Sequence, residues 1–316
     1  MSEHKGLVVV AIGGNALTAG PDKLTIADQY KAVRGMAGQL ADIVASGRGL
    51  LVTHGNGPQV GFILRRSELS MHEVSPVPMD YAGADLQGGI GYMFVRALNN
   101  VFRERGVKAV PAAVVTQTLV DRDDPAFLTP VKPIGSWMDR ETARDMAEKL
   151  GWTVREDSGR GWRRVVPSPE PVAVLEEPVI RDLIARGYVV IACGGGGIPV
   201  VRTERGELEG VEAVIDKDLS SALLASRLGA EALILPTGIE RVALEFNTPR
   251  QTFLDRMTVA EAQRFCAAGQ FGKGSMEPKV RALISYVRRT GGMGVITDMN
   301  HMAEALAGRA GTRLVP

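Results

Sequence analysis

Two stretches decide the fold: Leu7-Val8-Val9-Val10-Ala11-Ile12-Gly13-Gly14-Asn15 and Leu50-Leu51-Val52-Thr53-His54-Gly55-Asn56-Gly57-Pro58. Each is a continuous apolar run cut off by a glycine loop. An apolar run without alternation is the mark of a strand buried on both faces, as in a parallel sheet. Between them Ile26, Tyr30, Val33, Leu40 and Val44 recur at helical spacing, and Gly47 and Gly49 are read as ending that helix. Strand, loop, helix, strand, loop is the βαβ pattern of a doubly wound sheet.

Working outward, further strands are predicted at 109–116, 188–192, 232–235 and 294–297. Val280, Leu283, Ile284 and Val287 form a helical stripe between the last two. One stretch breaks the rhythm. From Asp121 to Pro171 the chain is rich in proline and turns and carries all three tryptophans, Trp137, Trp152 and Trp162. It is too aromatic for disorder, and is read as an inserted, protruding subdomain over the carboxyl end of the sheet, where ligands bind in such folds. The expected architecture is a single α/β domain, 1–316, an open αβα sandwich whose insertion at 121–171 covers the active site.

The whole-chain numbers narrow the function. At 316 residues the chain can bury a core without metal or disulfide staples. Its 37 Lys and Arg against 36 Asp and Glu leave a net charge of +1, so a broad face for nucleic acid or anionic lipid is not expected. The apolar run at Leu7–Ile12 is too short for a signal-peptide core or a membrane span. With two cysteines, Cys193 and Cys266, read as reduced thiols, this points to a cytoplasmic protein. Glycine is the outlier: 37 residues, about 12% against a usual figure near 7%.

Those glycines cluster in three loops that follow apolar strands: Gly13-Gly14-Asn15, Gly55-Asn56-Gly57 and Gly194-Gly195-Gly196-Gly197. Without a Cβ, backbone N–H groups approach an anionic oxygen closely, and a following helix adds its positive dipole end. Three such loops at one sheet edge favour a phosphate or carboxylate site. The common nucleotide fingerprints are missing. Gly272-Lys273-Gly274-Ser275 has glycine where a Walker A loop needs its hydroxyl residue, and Gly55 to Gly61 is one residue too long for the dinucleotide pattern. Lys132 sits between Pro130 and Pro133, whereas Lys217 and Lys279 each stand at a helix start. Phosphoryl transfer needs compact positive charge of this kind, although spacing alone does not make the three converge.

With these residues on view, the chain resembles the carbamate kinases of the amino-acid kinase family. The resemblance rests on residues 10–17 and 52–61, on Asp123-Asp124-Pro125-Ala126-Phe127 and Lys132-Pro133-Ile134-Gly135, and on 159–169, 194–199 and 210–218. It runs from about residue 8 to the C-terminus and includes the insertion. It implies a homodimer that catalyses ATP + carbamate ⇌ ADP + carbamoyl phosphate with Mg²⁺, in arginine or purine-nitrogen catabolism. It also implies catalytic roles for Lys132, Lys217, Asp218 and Lys279, and acceptor contacts from Gly13, Gly14, Asn15, Gly55, Asn56 and Gly57. Nucleotide contacts are implied for Asp216, Lys217, Thr237, Met276 and Lys279, with no protein-held metal.

Departures lie on the nucleotide side. The family's Thr-Asp-Val-Asp-Lys-Val-Tyr is here Thr237-Gly238-Ile239-Glu240-Arg241-Val242-Ala243, and Glu277 replaces a glycine. Weaker adenine-nucleotide binding is expected from Gly238 and Ala243, and Glu277 is expected beside the phosphate path. A kinase for another small carboxylate, or a sensing paralogue without turnover, therefore stays open. His54 is read as structural, since an anionic carbamate needs no base, and Cys193 as a buried strand residue. Arg160, Arg163 and Arg164 are read as an anion clamp or as a solvated or dimer-facing cluster.

Overall fold

The computed structural model describes residues 4–18, 25–157 and 159–316. Among them an eight-stranded sheet runs in the order Arg256–Thr258, Thr312–Val315, Met293–Asp298, Ala232–Thr237, Leu7–Ile12, Gly49–His54, Tyr188–Ile191, Val110–Ala113. Six neighbouring strands are parallel; the two at the first edge run against them. The apolar runs behave as expected of strands covered on both faces. Val8, Val10 and Ile12 pack with the helices Ile26–Ala45 and Met79–Arg105, while Val9 and Ala11 face Leu224, Val280 and Leu283 of the opposite layer. The result is an αβα sandwich with one apolar core on each side of the sheet.

Two boundaries differ from the sequence reading. Thr25 caps the first helix by accepting from Asp28 N–H, and the helix ends at Ala45; Gly47, at φ +85°, makes the turn. Gly49 begins the next strand instead of ending the helix. The strand expected over 109–116 stops at Ala113. Beyond it Gln87 captures both the N–H and the C=O of Thr116, and the chain leaves the main sheet for a second one. That second sheet has the order Leu208–Gly210, Ile198–Arg202, Gln117–Val120, Pro171–Val174.

Between its last two strands lies the 121–171 segment. It contains a three-stranded antiparallel sheet, Lys132–Met138 with Trp162–Val166 and then Val154–Glu156, and the helix Arg140–Leu150. Asp139 caps that helix through Thr142 N–H, and Gly151 ends it at φ +66°. The arginines are used inside this unit and at its base. Arg160 and Arg163 lie 4.9 and 5.0 Å from the Trp137 ring and bond Asp157, while Arg164 covers Trp152 at 4.7 Å and bonds Glu212 at 2.6 Å. The anion-clamp reading is thereby corrected: these guanidiniums hold the segment's own aromatic rings and Asp157 and, at its base, Glu212.

Candidate active site

The carboxyl ends of the strands Leu7–Ile12, Gly49–His54 and Ala232–Thr237 open into a cavity of about 630 Å³. Its walls include Gly13, Gly14 and Asn15 from the first loop and Gly55, Asn56 and Gly57 from the second. Lys132, Asp216, Lys217, Asp218, Thr237 and Lys279, also pointed to by the sequence, line it too. Gly195, Gly238, Ser275 and Met299 also line it. Met276 does not: its side chain packs against the apolar core below.

The first two loops touch through their backbones. A Cβ on Gly55 would lie 2.6 Å from Gly14 N, and one on Gly14 would lie 3.0 Å from Gly57 N. Glycine is required here by the close approach of two chain segments, which brings their N–H groups to one spot. Gly57 opens the helix Gly57–Ser70, whose positive end faces the same space.

The lysines converge around carboxylates. Lys217 Nζ donates to Ala11 O at 2.9 Å and pairs with Asp218 Oδ1, while Lys279 Nζ lies 3.0 Å from Asp218 Oδ2. These side chains are only 7–15% exposed. Burial pushes the Asp218 carboxyl upward, but the two ammoniums outweigh it and hold Asp218 below the usual carboxylate range. Burial, with Lys279 nearby, lowers the Lys217 ammonium against the pull of Asp218. Lys132 arrives from the inserted segment and reaches Asp216 Oδ2 at 3.1 Å. Asp216 uses its other oxygen to cap the helix Lys217–Leu228 through Asp218 N–H. Lysines therefore outnumber carboxylates three to two around the cavity, an arrangement suited to a polyanion.

Glu277 corrects a second expectation. It stands on the first turn of the helix Met276–Thr290 but bonds Arg281 at 2.7 Å and does not line the cavity. The i,i+4 pair draws the carboxylate along its own helix. Ala243, read as a lost aromatic contact, is 5% exposed in the hairpin strand Val242–Leu244 and stands away from the cavity wall. Beside the strand end, Glu240, Asp298 and His301 bring one ligand atom each within 4.8 Å of one another. His301 Nδ1 already bonds both Asp298 oxygens, at 2.9 and 2.8 Å. Cys193 is buried, and its thiol is pushed up to about 12, as befits a structural residue.

His54 is 1% exposed, stacked 5.8 Å from Phe94, with Nδ1 3.1 Å from Gly55 O. Burial pulls its pKa down to about 4. The ring is thus neutral in the fold, whereas the unfolded chain takes up a proton near pH 6.5. Its contribution is complete above pH 6.5 and is lost as the pH falls toward 4, about 3 kcal/mol in all for a shift of this size. Urea melts across pH 4–7 should show this slope in wild type and a flatter one in His54→Gln. Equal slopes would mean that His54 titrates normally.

The model of the amino acid kinase family matches residues 6–298. This chain belongs to that family. It is 48% identical over 311 residues to the carbamate kinase of Thermococcus kodakarensis, covering 98% of each chain. It is 45% identical to the carbamate kinase-like protein YahI of Escherichia coli, over 98% of this chain and 99% of the relative. Among solved structures, carbamate kinase from Giardia lamblia bound to AMP-PNP superposes with a TM-score of 0.93 at 40% identity, covering 100% of this chain and 99% of that one. The family carries the fold of this chain, a mixed α/β domain around a mainly parallel sheet.

Proposed function

We propose that this member of the family is a carbamate kinase, transferring a phosphoryl group reversibly between ATP and carbamate. The observation that carries this is the convergence of Lys132, Lys217 and Lys279 on the cavity walled by the two glycine loops. In the ATP-forming direction a β-phosphate oxygen of ADP attacks the phosphorus of carbamoyl phosphate. The bond from phosphorus to the carbamoyl oxygen breaks, and carbamate leaves as an anion. No proton need move, which agrees with a neutral, buried His54.

In this reading the loop N–H groups hold the acceptor end, and the lysines offset charge on the phosphoryl oxygens as it spreads during transfer. Asp218 keeps two of the lysines in place. Thr237 and Gly238 form the nucleotide side. Mg²⁺ binds oxygen ligands and enters such sites largely on the nucleotide phosphates. Contrary to the expectation of no protein-held metal, Asp216, 21% exposed at the cavity wall, is the more accessible of the two carboxylates, and it would hold the ion by giving up its pairing with Lys132. The bound ion would supply charge neutralisation on the phosphates.

The physiological setting we propose is cytoplasmic ATP formation during arginine or purine-nitrogen catabolism. No described helix is long and apolar enough to cross a membrane. We also propose a homodimer; exposed Ile26, Tyr81 and Tyr92 on the helices Ile26–Ala45 and Met79–Arg105 support it. The 121–171 segment acts as the cover that brings Lys132 in. With Glu277 turned aside, Gly238 is the cavity residue that still sustains the sensing alternative.

The deciding experiment is ADP phosphorylation by carbamoyl phosphate in the presence of Mg²⁺, with the reverse reaction run alongside. Turnover in both directions is expected. Tight nucleotide binding without transfer in either direction would overturn the enzyme reading in favour of a sensor.

A further inference from the structure

The third glycine run, Gly194–Gly197, has a geometry unlike that of an ordinary turn. Cys193 enters it at φ 49°, and Gly195, Gly196 and Gly197 follow at 69°, 95° and 93°. A Cβ on Gly195 would lie 2.3 Å from Asn56 Nδ2, and one on Gly196 would lie 2.4 Å from Ile215 O. The run is therefore wedged between the second anion loop and the segment that leads into Lys217.

Its carbonyls are held from behind. Gly194 O accepts from Gln87 Nε2 at 3.1 Å, and Gly196 O accepts from Thr118 Oγ1 at 2.9 Å and Ser220 Oγ at 2.7 Å. Gln87 closes the network on Thr116, donating to its carbonyl at 3.0 Å and accepting from its N–H at 2.7 Å. All four residues, Gln87, Thr116, Thr118 and Ser220, are at most 4% exposed. Only a side-chain amide both donates twice and accepts once in this way. With the carbonyls drawn back, the N–H groups of Gly194 and Gly195 meet no acceptor among the described residues, and Gly195 lines the cavity. Gly194 is buried and Gly195 half-buried at the cavity wall, so a donor there without a protein partner is open to an acceptor from solution.

We propose that Gly194–Gly197 is a third anion-binding element, its Gly195 N–H donating to an oxygen of the carbamoyl group, and that Gln87 is the positioning residue that aims it. The proposal rests on the carbamate kinase reading for the identity of the ligand, and on the geometry above for the site itself. Gln87 touches no substrate; it acts through the loop. A carboxylate in its place would keep the bond from Thr116 N–H but set an oxygen against two carbonyls.

The test pairs a binding signal with kinetics. In the ¹⁵N-labelled wild-type protein the Gly195 amide resonance should move on titration with carbamoyl phosphate and, more weakly, with inorganic phosphate. Gln87→Met should raise KM for carbamoyl phosphate about 3- to 10-fold, the weight of one hydrogen bond to a neutral carbonyl oxygen. KM for ADP should stay within about twofold, since the loop lies on the acceptor side. Gln87→Glu should regain affinity as the pH falls and its carboxyl group becomes a donor. A Gly195 amide unmoved by both ligands, or equal rises in both KM values, would overturn the proposal. If wild type turns over no carbamoyl phosphate, the functional reading fails separately, and the inorganic phosphate titration still decides the anion element. Should the Gln87 variants not fold, the wild-type titration decides alone.

Discussion

Replacing Lys217 or Lys279 by methionine should lower kcat by roughly 10²–10³, about 3–4 kcal/mol, by analogy with the loss of a single preorganised electrostatic stabiliser. Both side chains share Asp218, so each removal also leaves a carboxylate short of one cation in a site only 7% exposed. A lysine that meets charge developing in transfer helps the transition state more than the ground state. The loss should therefore fall on kcat more than on KM. Asp218→Asn preserves shape but frees both ammoniums, and a smaller yet clear loss is expected. Combined with Lys217→Met it should be strongly non-additive, because the three groups form one unit. Steady-state kinetics with thermal melts on each variant provides the measurement. Turnover within a few-fold of wild type in both lysine variants, with melting unchanged, would remove these residues from the transfer step.

Gly55→Ala is expected to disable the site by geometry alone. The new methyl carbon would stand 2.6 Å from Gly14 N and 3.3 Å from Gly14 Cα, both backbone atoms that cannot swing aside. The two loops must separate by several tenths of an ångström or more, and overpacking of this kind costs about 1–3 kcal/mol of stability. Misplacing the N–H groups by about 1 Å would cost on the order of 10²-fold in kcat/KM. Gly83→Ala provides the contrast. It lies in the helix Met79–Arg105 with nothing within 4 Å of the added carbon, and should leave activity alone while stabilising slightly. Near-normal kcat/KM in Gly55→Ala would mean that the loop contact does not organise the site.

Much of this site was legible because its parts are local. A strand that ends in glycines announces a loop that can turn backbone N–H groups toward a ligand, and Lys217 and Lys279 mark helix starts. The Glu277 expectation failed for an equally local reason. The i,i+4 partner Arg281 was in the sequence, but the contest between a neighbour on the helix and a phosphate across the cavity was decided by side-chain direction. Ala243 lies in the Val242–Leu244 hairpin, whose register is set by pairing with Thr252–Leu254, and its short side chain does not reach the cavity wall. The Arg160, Arg163 and Arg164 cluster looked like an anion site until Trp137, Trp152, Asp157 and Glu212 were seen to surround it.

By itself the sequence determined the layered α/β class, the edge at which the glycine loops emerge, and the extent of the insertion's proline-rich stretch. Periodicity and loop chemistry are short-range properties, written in adjacent residues. Only the tertiary structure decided that Lys132 crosses from the insertion to Asp216, 84 positions along the chain. It alone brought Gln87 to the carbonyl of Gly194, 107 positions away. Such pairings arise when packing of the sheet brings distant segments into one buried space, where each polar group must find a partner, and no spacing rule in the chain encodes which partner that is.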